Sequence, residues 1–104
     1  MAVAPAYVIA NFDIHDAETY RIYEKGFFPI LMRYQGEFFT YDDNTETFEG
    51  ASPRTGRMVV FKFPSAELAR AWYADEDYQA ISEYRRAGTE IQFLTMVKGL
   101  PPRE

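Results

Sequence analysis

Large apolar residues crowd both faces of several short stretches in this chain. Between them the spacing changes from every second residue to every third or fourth. Tyr7 to Ile14 (YVIANFDI) reads as a strand, with Val8, Ala10, Phe12 and Ile14 on one face and Tyr7, Ile9, Asn11 and Asp13 on the other. Asp16 is suited to cap a helix, its carboxylate accepting from the free amides of the first turn. Tyr20, Tyr23, Phe27, Ile30, Leu31 and Tyr34 then recur at helical spacing. Gly26 and Pro29 interrupt that stripe. Pro29 cannot donate to the carbonyl of Lys25, which predicts a kink or a short break. Gly36 is expected to take the left-handed conformation that ends such a helix.

Glu37 to Asp42 (EFFTYD) is predicted as a second strand. Asp43-Asn44 suits a turn, and Thr45 to Glu49 alternates well enough for a short edge strand. Residues 50–56 (GASPRTG) read as loop. Arg57 to Phe63 is a strand with large residues on both faces, and Ser65 then caps a helix whose buried side is Ala69, Trp72 and Tyr73. Asp75, Glu76 and Asp77 place three carboxylates at the positive end of a following helix. Tyr78, Ile81 and Arg85 share one side of that helix, and Arg85-Arg86 stand at its negative end with Gly88 just past it. Glu90 to Lys98 is the last strand. No internal repeat is present.

This order predicts a single domain over 1–104 of α+β class. It is the ferredoxin-like βαββαβ plan, a mainly antiparallel sheet with helices on one face. The first strand and the one at 57–63 are expected to be parallel neighbours in the middle. Two helical segments cover one face only, yet the other is apolar whichever parity faces the helices. Leaving about six such side chains wet forgoes on the order of 10 kcal/mol, at roughly 1.5–3 kcal/mol each. The expected solution is a homodimer packing sheet against sheet, a dimeric α/β barrel; the alternative is a loop, such as 43–56, folded over that face.

Several motifs carry a family resemblance. YVIANFDI-x-D-x-x-x-Y-x-x-Y, F-E-G, R-x-V-V-x-x-F-P-S, A-W-Y, and Y-Q with an arginine seven residues after the tyrosine resemble the DUF1330 family, across about residues 6 to 99. The resemblance implies a small protein of the dimeric α/β-barrel superfamily, without an assigned function. It highlights Tyr7, Tyr20, Tyr23, Gly36, Gly50, Arg57, Pro64, Trp72, Tyr73, Tyr78 and Arg85. Where the family usually reads Gly-Gly-Arg-Phe, this chain has Gln35-Gly36-Glu37-Phe38. Where the family usually has Arg-Gly-Gly, it has Tyr41-Asp42-Asp43. Two positive charges are thereby lost.

Composition narrows the chemistry. Sixteen acidic against eleven basic residues give a net charge of −5, with no basic stripe, so no nucleic-acid partner is expected. Zero cysteines remove disulfides and thiol chemistry. Phe27 to Met32, the most apolar run, is too short for a membrane span. The opening residues lack a signal-peptide pattern, so a cytoplasmic location is expected. His15, the only imidazole, reads as a solvated turn residue, and Ser52, Ser65 and Ser82 have no triad context. It is also the one plausible strong axial ligand for haem, so no cofactor is expected. Asp42, Asp43, Glu46 and Glu49 match no metal-loop spacing, so no metal site is assigned.

The candidate ligand-binding set is aromatic with a few polar heads: Tyr7, Asn11, Tyr20, Tyr23, Trp72, Tyr78 and Arg85. In a cleft between sheet and helices, the hydroxyls and Asn11 would orient a small flat molecule and Arg85 would pair with a carboxylate or enolate oxygen. Alternatively the rings are core, and Arg85 pairs with a carboxylate of the chain such as Asp13. No catalytic residue is assigned. The expected function is a homodimer that binds a small aromatic or carboxylate-bearing molecule. The alternatives are a cofactor-independent monooxygenase or isomerase, as superfamily membership implies, and an interaction module whose dimer is the function.

Overall fold

A computed structural model describes residues 3–101. The chain runs β1 (Ala6–Ile14), α1 (Ala17–Arg33), β2 (Glu37–Asp42), β3 (Arg57–Phe63), α2 (Ala66–Ala74), α3 (Glu76–Gly88) and β4 (Thr89–Lys98). The strands form one sheet ordered β2-β3-β1-β4, with every neighbouring pair antiparallel. This is the ferredoxin-like α+β plan. The expectation that β1 and β3 are parallel is corrected: they are central neighbours but antiparallel. The crossover α1 makes β2 parallel to β1. The chain then reverses into β3, which slots between them and opposes both.

Asp16, Ser65 and Asp75 cap the three helices as their sequence positions predict, each side chain accepting from the amide three residues on. Other details differ. Helix α1 runs unbroken through Pro29, because the carbonyl that loses its partner belongs to exposed Lys25, where water can replace it. Its end is closed by Gln35 in the left-handed region (φ 61°), not by Gly36. Gln35 N donates to the Met32 carbonyl and Gly36 N to that of Leu31, the paired bonds of a Schellman end. Gly36 is needed for space instead: a Cβ there would lie 2.3 Å from Leu31 Cδ1. Residues 45–49 form no strand; the segment 46–55 is exposed, including Phe48. Tyr73 is exposed rather than buried, leaving Ala69 and Trp72 as the inner side of α2.

The core lies between the helices and one sheet face. Val8, Ala10 and Phe12 of β1 and Val59, Phe61 and Phe63 of β3 meet Tyr20, Tyr23, Phe27, Ile30 and Leu31 of α1. Trp72 and Tyr78 close it, their rings 4.2 Å apart. The other face carries Tyr7, Ile9, Phe39, Met58, Val60, Phe93 and Val97, by the register of the strands. Phe39 and Val97 are each nearly half exposed. The loop at 46–55 does not cover them.

Candidate functional site

Each edge strand carries a bulge, and the bulges shape what lies between sheet and helices. In β2, Phe39 is the extra residue, so Phe38 opposes Phe61 and Tyr41 opposes Val59. Residues three apart thus share the helix-side face, which a strict period of two forbids. In β4, the extra residue is Gln92, which brings Leu94 opposite Ala10 and Ile91 opposite Phe12. Phe38, Tyr41, Ile91 and Leu94 therefore join Ala10, Phe12, Tyr20, Tyr23, Phe27 and Phe61 around a partly open cavity of about 100 Å³, whose wall also includes Glu24 and Arg57. A second, open groove of about 570 Å³ follows β4 past α2 and α3. Arg85, Ile91 and Leu94 line both.

Two arginines face the inner cavity, and their surroundings are opposite. Arg57 is saturated. Its Nε and Nη2 donate to the two Asp43 carboxylate oxygens at 2.8 and 3.1 Å, and its Nη1 to Glu24 at 3.2 Å. The guanidinium also lies 4.2 Å from the centre of the Tyr41 ring. Hydrogen bonding from Arg57 holds the Asp43 carboxyl below its ordinary range and, in return, raises the Arg57 value further.

Arg85 is the reverse case. It is 4% exposed, makes no ion pair or hydrogen bond from its guanidinium among the described residues, and has a buried Nε with no partner. Its guanidinium carbon lies 5.6 Å from the centre of the Tyr23 ring. Asp13, the carboxylate envisaged as its partner, instead accepts from Thr55 Oγ1. A cation withdrawn from water without a counter-charge is costly, and native folds keep such groups for a reason. The free space beside this one is walled mainly by rings and aliphatic side chains, and the one carboxylate in its lining, Glu24, is paired with Arg57.

Tyr23 and Tyr78 share a buried hydroxyl–hydroxyl bond of 2.8 Å. Burial first, then the Tyr78 hydroxyl, push the Tyr23 phenol well above its ordinary value. Tyr20 is pushed up to about 12, chiefly by burial and then by Glu24. The Tyr20 and Tyr23 phenols therefore stay protonated near neutrality. One proton of the Tyr23–Tyr78 pair joins the two oxygens, and the other remains free to donate elsewhere.

The candidate residues divide accordingly. Tyr20, Tyr23 and Arg85 line the inner cavity, Trp72 lines the outer groove, and Tyr78 supports Tyr23 from behind. Tyr7 and Asn11 do not belong to the cleft. Tyr7 lies on the opposite sheet face beside Phe39, their ring centres 6.2 Å apart. Asn11 is buried and its Nδ2 donates to the carbonyls of Thr55 and Arg57, tying the end of the loop to β1. Arg57, Glu24 and Tyr41 were absent from the candidate set. Arg57 was marked only by the family motif, and no sequence signal places Glu24 beside it. Among the described residues, no three His, Cys, Asp or Glu side chains gather as a metal site, and no helix is long and apolar enough to cross a membrane.

The sequence model of the family described as Domain of unknown function (DUF1330) matches residues 5–100. No curated protein matches the chain. Among solved structures, the RPA0582 protein of unknown function from Rhodopseudomonas palustris superposes with a TM-score of 0.75 at 17% identity, over 95% of this chain and 85% of that one. SnoaB, a cofactor-independent oxygenase from Streptomyces nogalater, gives 0.66 at 12% identity, over 94% and 95% of the two chains. A conserved protein of unknown function from Bacteroides thetaiotaomicron, described as a possible oxidoreductase, gives 0.61 at 16% identity, over 93% and 99%. At these identities the likeness establishes the fold alone.

Proposed function

The chain belongs to the DUF1330 family, which has no assigned chemistry, and from that premise we propose that it binds a small organic anion in the cleft between sheet and helices. The observation that carries this reading is Arg85, a buried cation beside a largely apolar cavity, which pairs with no carboxylate among the described residues. A carboxylate, or an enolate or phenolate oxygen, supplies the missing charge. With Tyr78 donating to Tyr23, the Tyr23 proton offers the same oxygen a second hydrogen bond. Phe12, Phe27, Phe38 and Phe61 favour a flat apolar body behind that oxygen. The inner cavity, about 100 Å³, is smaller than the ~150 Å³ that accepts benzene, so it takes the acidic group and part of a ring, and the rest of the ring reaches the groove that shares Arg85, Ile91 and Leu94.

Titration of the purified protein with benzoate, phenylacetate and their neutral amides, followed by calorimetry, tests this. The acids are expected to bind and the amides to bind at least tenfold more weakly. Arg85→Gln should abolish that difference. Equal binding of acid and amide, or a difference that survives in Arg85→Gln, refutes the reading.

We further propose that the functional unit is a homodimer formed through the face bearing Tyr7, Ile9, Phe39, Met58, Val60, Phe93 and Val97. The support is the apolar character of a face that neither helix nor loop covers. Light scattering at micromolar concentration should give twice the protomer mass, and Val60→Glu should give the protomer. A second functional reading is an oxygenase without a cofactor: an arginine that holds a carboxylate equally holds an enolate, the electron-rich form that reacts with dioxygen. It draws on the same Arg85, with the SnoaB fold as analogy. Oxygen uptake on adding enolisable aromatic substrates, absent in Arg85→Gln, is its test.

A further inference from the structure

The inner cavity is too small to hold a whole metabolite of ordinary size, for which sites of roughly 300–1,000 Å³ are usual. The open groove beyond Arg85 has that capacity, about 570 Å³. Arg85, Ile91 and Leu94 form a wall common to the two. A molecule held on Arg85 can therefore continue along β4 over Trp72, Leu94 and Met96.

The charge of this groove opposes that of the protein. In a chain of net charge −5, the groove lining contains Arg70, Arg85 and Arg86 and no acidic residue. Arg86 is engaged by Glu83 and Gln79. Arg70, on exposed α2, makes no ion pair or hydrogen bond among the described residues, and neither does the Arg85 guanidinium. Trp72 adds a buried indole N–H without a partner. Unpaired donors thus stand at the inner end and the rim of one apolar trough.

Building on the Arg85 reading above, we propose that the ligand is a two-headed anion: one acidic group on Arg85, an apolar body in the groove, and a second acidic group on Arg70. A dianion exploits both cations, while a monoanion of equal length must leave Arg70 in water. Phosphate is not required; two carboxylates suffice.

The probes are the linear α,ω-dicarboxylates of six to twelve carbons and the monocarboxylates of the same lengths, titrated into the full chain by calorimetry. At one matching length the dicarboxylate is expected to bind about tenfold more tightly than its monocarboxylate. Arg70→Ala should erase that advantage and leave monocarboxylate affinity within twofold, and since Arg70 is exposed this variant should fold. Arg85→Gln should weaken both classes. Equal binding of the two classes, with no effect of Arg70→Ala, overturns the two-headed ligand while leaving the Arg85 reading standing. Failure of both classes to bind overturns the two-headed ligand, and failure of benzoate and phenylacetate as well overturns the Arg85 reading with it. A change in light-scattering mass in Arg70→Ala, with affinities unaltered, makes the groove an interface with a second copy and likewise overturns the proposal.

Discussion

Replacing Arg85 by methionine should make the empty protein more stable and the ligand-saturated protein less so. The residue is 4% exposed and its guanidinium has no counter-ion. Exchanging buried ionic groups for apolar ones of similar volume stabilises by about 1–4 kcal/mol in measured cases. Against this stands the loss of the interaction with the Tyr23 ring at 5.6 Å, worth about 0.5–2 kcal/mol. The two ranges leave a net change between about −1 and +3.5 kcal/mol, centred near +1 kcal/mol, which for a chain of this size raises Tm by roughly 4–8 °C. Calorimetric melting of both proteins without ligand reads this directly. At a hundredfold excess of ligand over Kd, the native protein gains about 2.7 kcal/mol and the variant gains nothing, so their order reverses. A methionine variant that loses more than about 1 kcal/mol when empty refutes the reasoning, because Arg85 is then a structural group. So does a variant that ligand still stabilises as much as the native chain.

Other outcomes follow from single contacts. Tyr23→Phe removes one partner of a buried hydroxyl pair, so urea denaturation should show a loss of about 1–2 kcal/mol; the double variant with Tyr78→Phe should cost less than the two singles summed. The Arg57–Asp43 tie should be sensitive to acid. Because Arg57 lowers the Asp43 carboxyl in the folded state, the pair contributes fully above the ordinary value of about 3.9 and fades as pH falls through the lower folded value. Asp43 is half exposed, so Asp43→Asn should cost no more than about 1 kcal/mol at pH 7, and the difference in denaturation midpoints should vanish toward pH 2. Gly56→Ala should destabilise by about 2 kcal/mol or more in the same assay, since Gly56 has φ +77° and a Cβ there would meet the Phe12 carbonyl oxygen at 2.3 Å.

Much of the fold was legible because its signals are local. The caps at Asp16, Ser65 and Asp75, the apolar stripe of α1 and the dense strands all declare themselves within a few residues. What was hidden depends on pairing across the sheet. The bulges at Phe39 and Gln92 put Phe38 with Tyr41, and Ile91 with Leu94, on the cavity face, and no period-two reading finds them. Thr45 to Glu49 alternates like a strand but gains no neighbour, as Asp43 is drawn instead to Arg57. Tyr7 and Asn11 fell on the other side of the sheet from the cleft because strand parity alone does not say which face the helices take. Arg85 was visible as a charge on an apolar helix side; that no carboxylate reaches it required three dimensions.

The Arg85 guanidinium, in this proposal, awaits an anion from outside the chain. Its side-chain resonances, assigned by their absence in Arg85→Gln, can be followed by nitrogen-15 NMR as a binding carboxylate is added. Saturable shifts of the Arg85 Nε and Nη signals, with an apparent Kd equal to that from calorimetry, are the predicted result. Guanidinium signals that stay fixed while the same carboxylate binds elsewhere would contradict it.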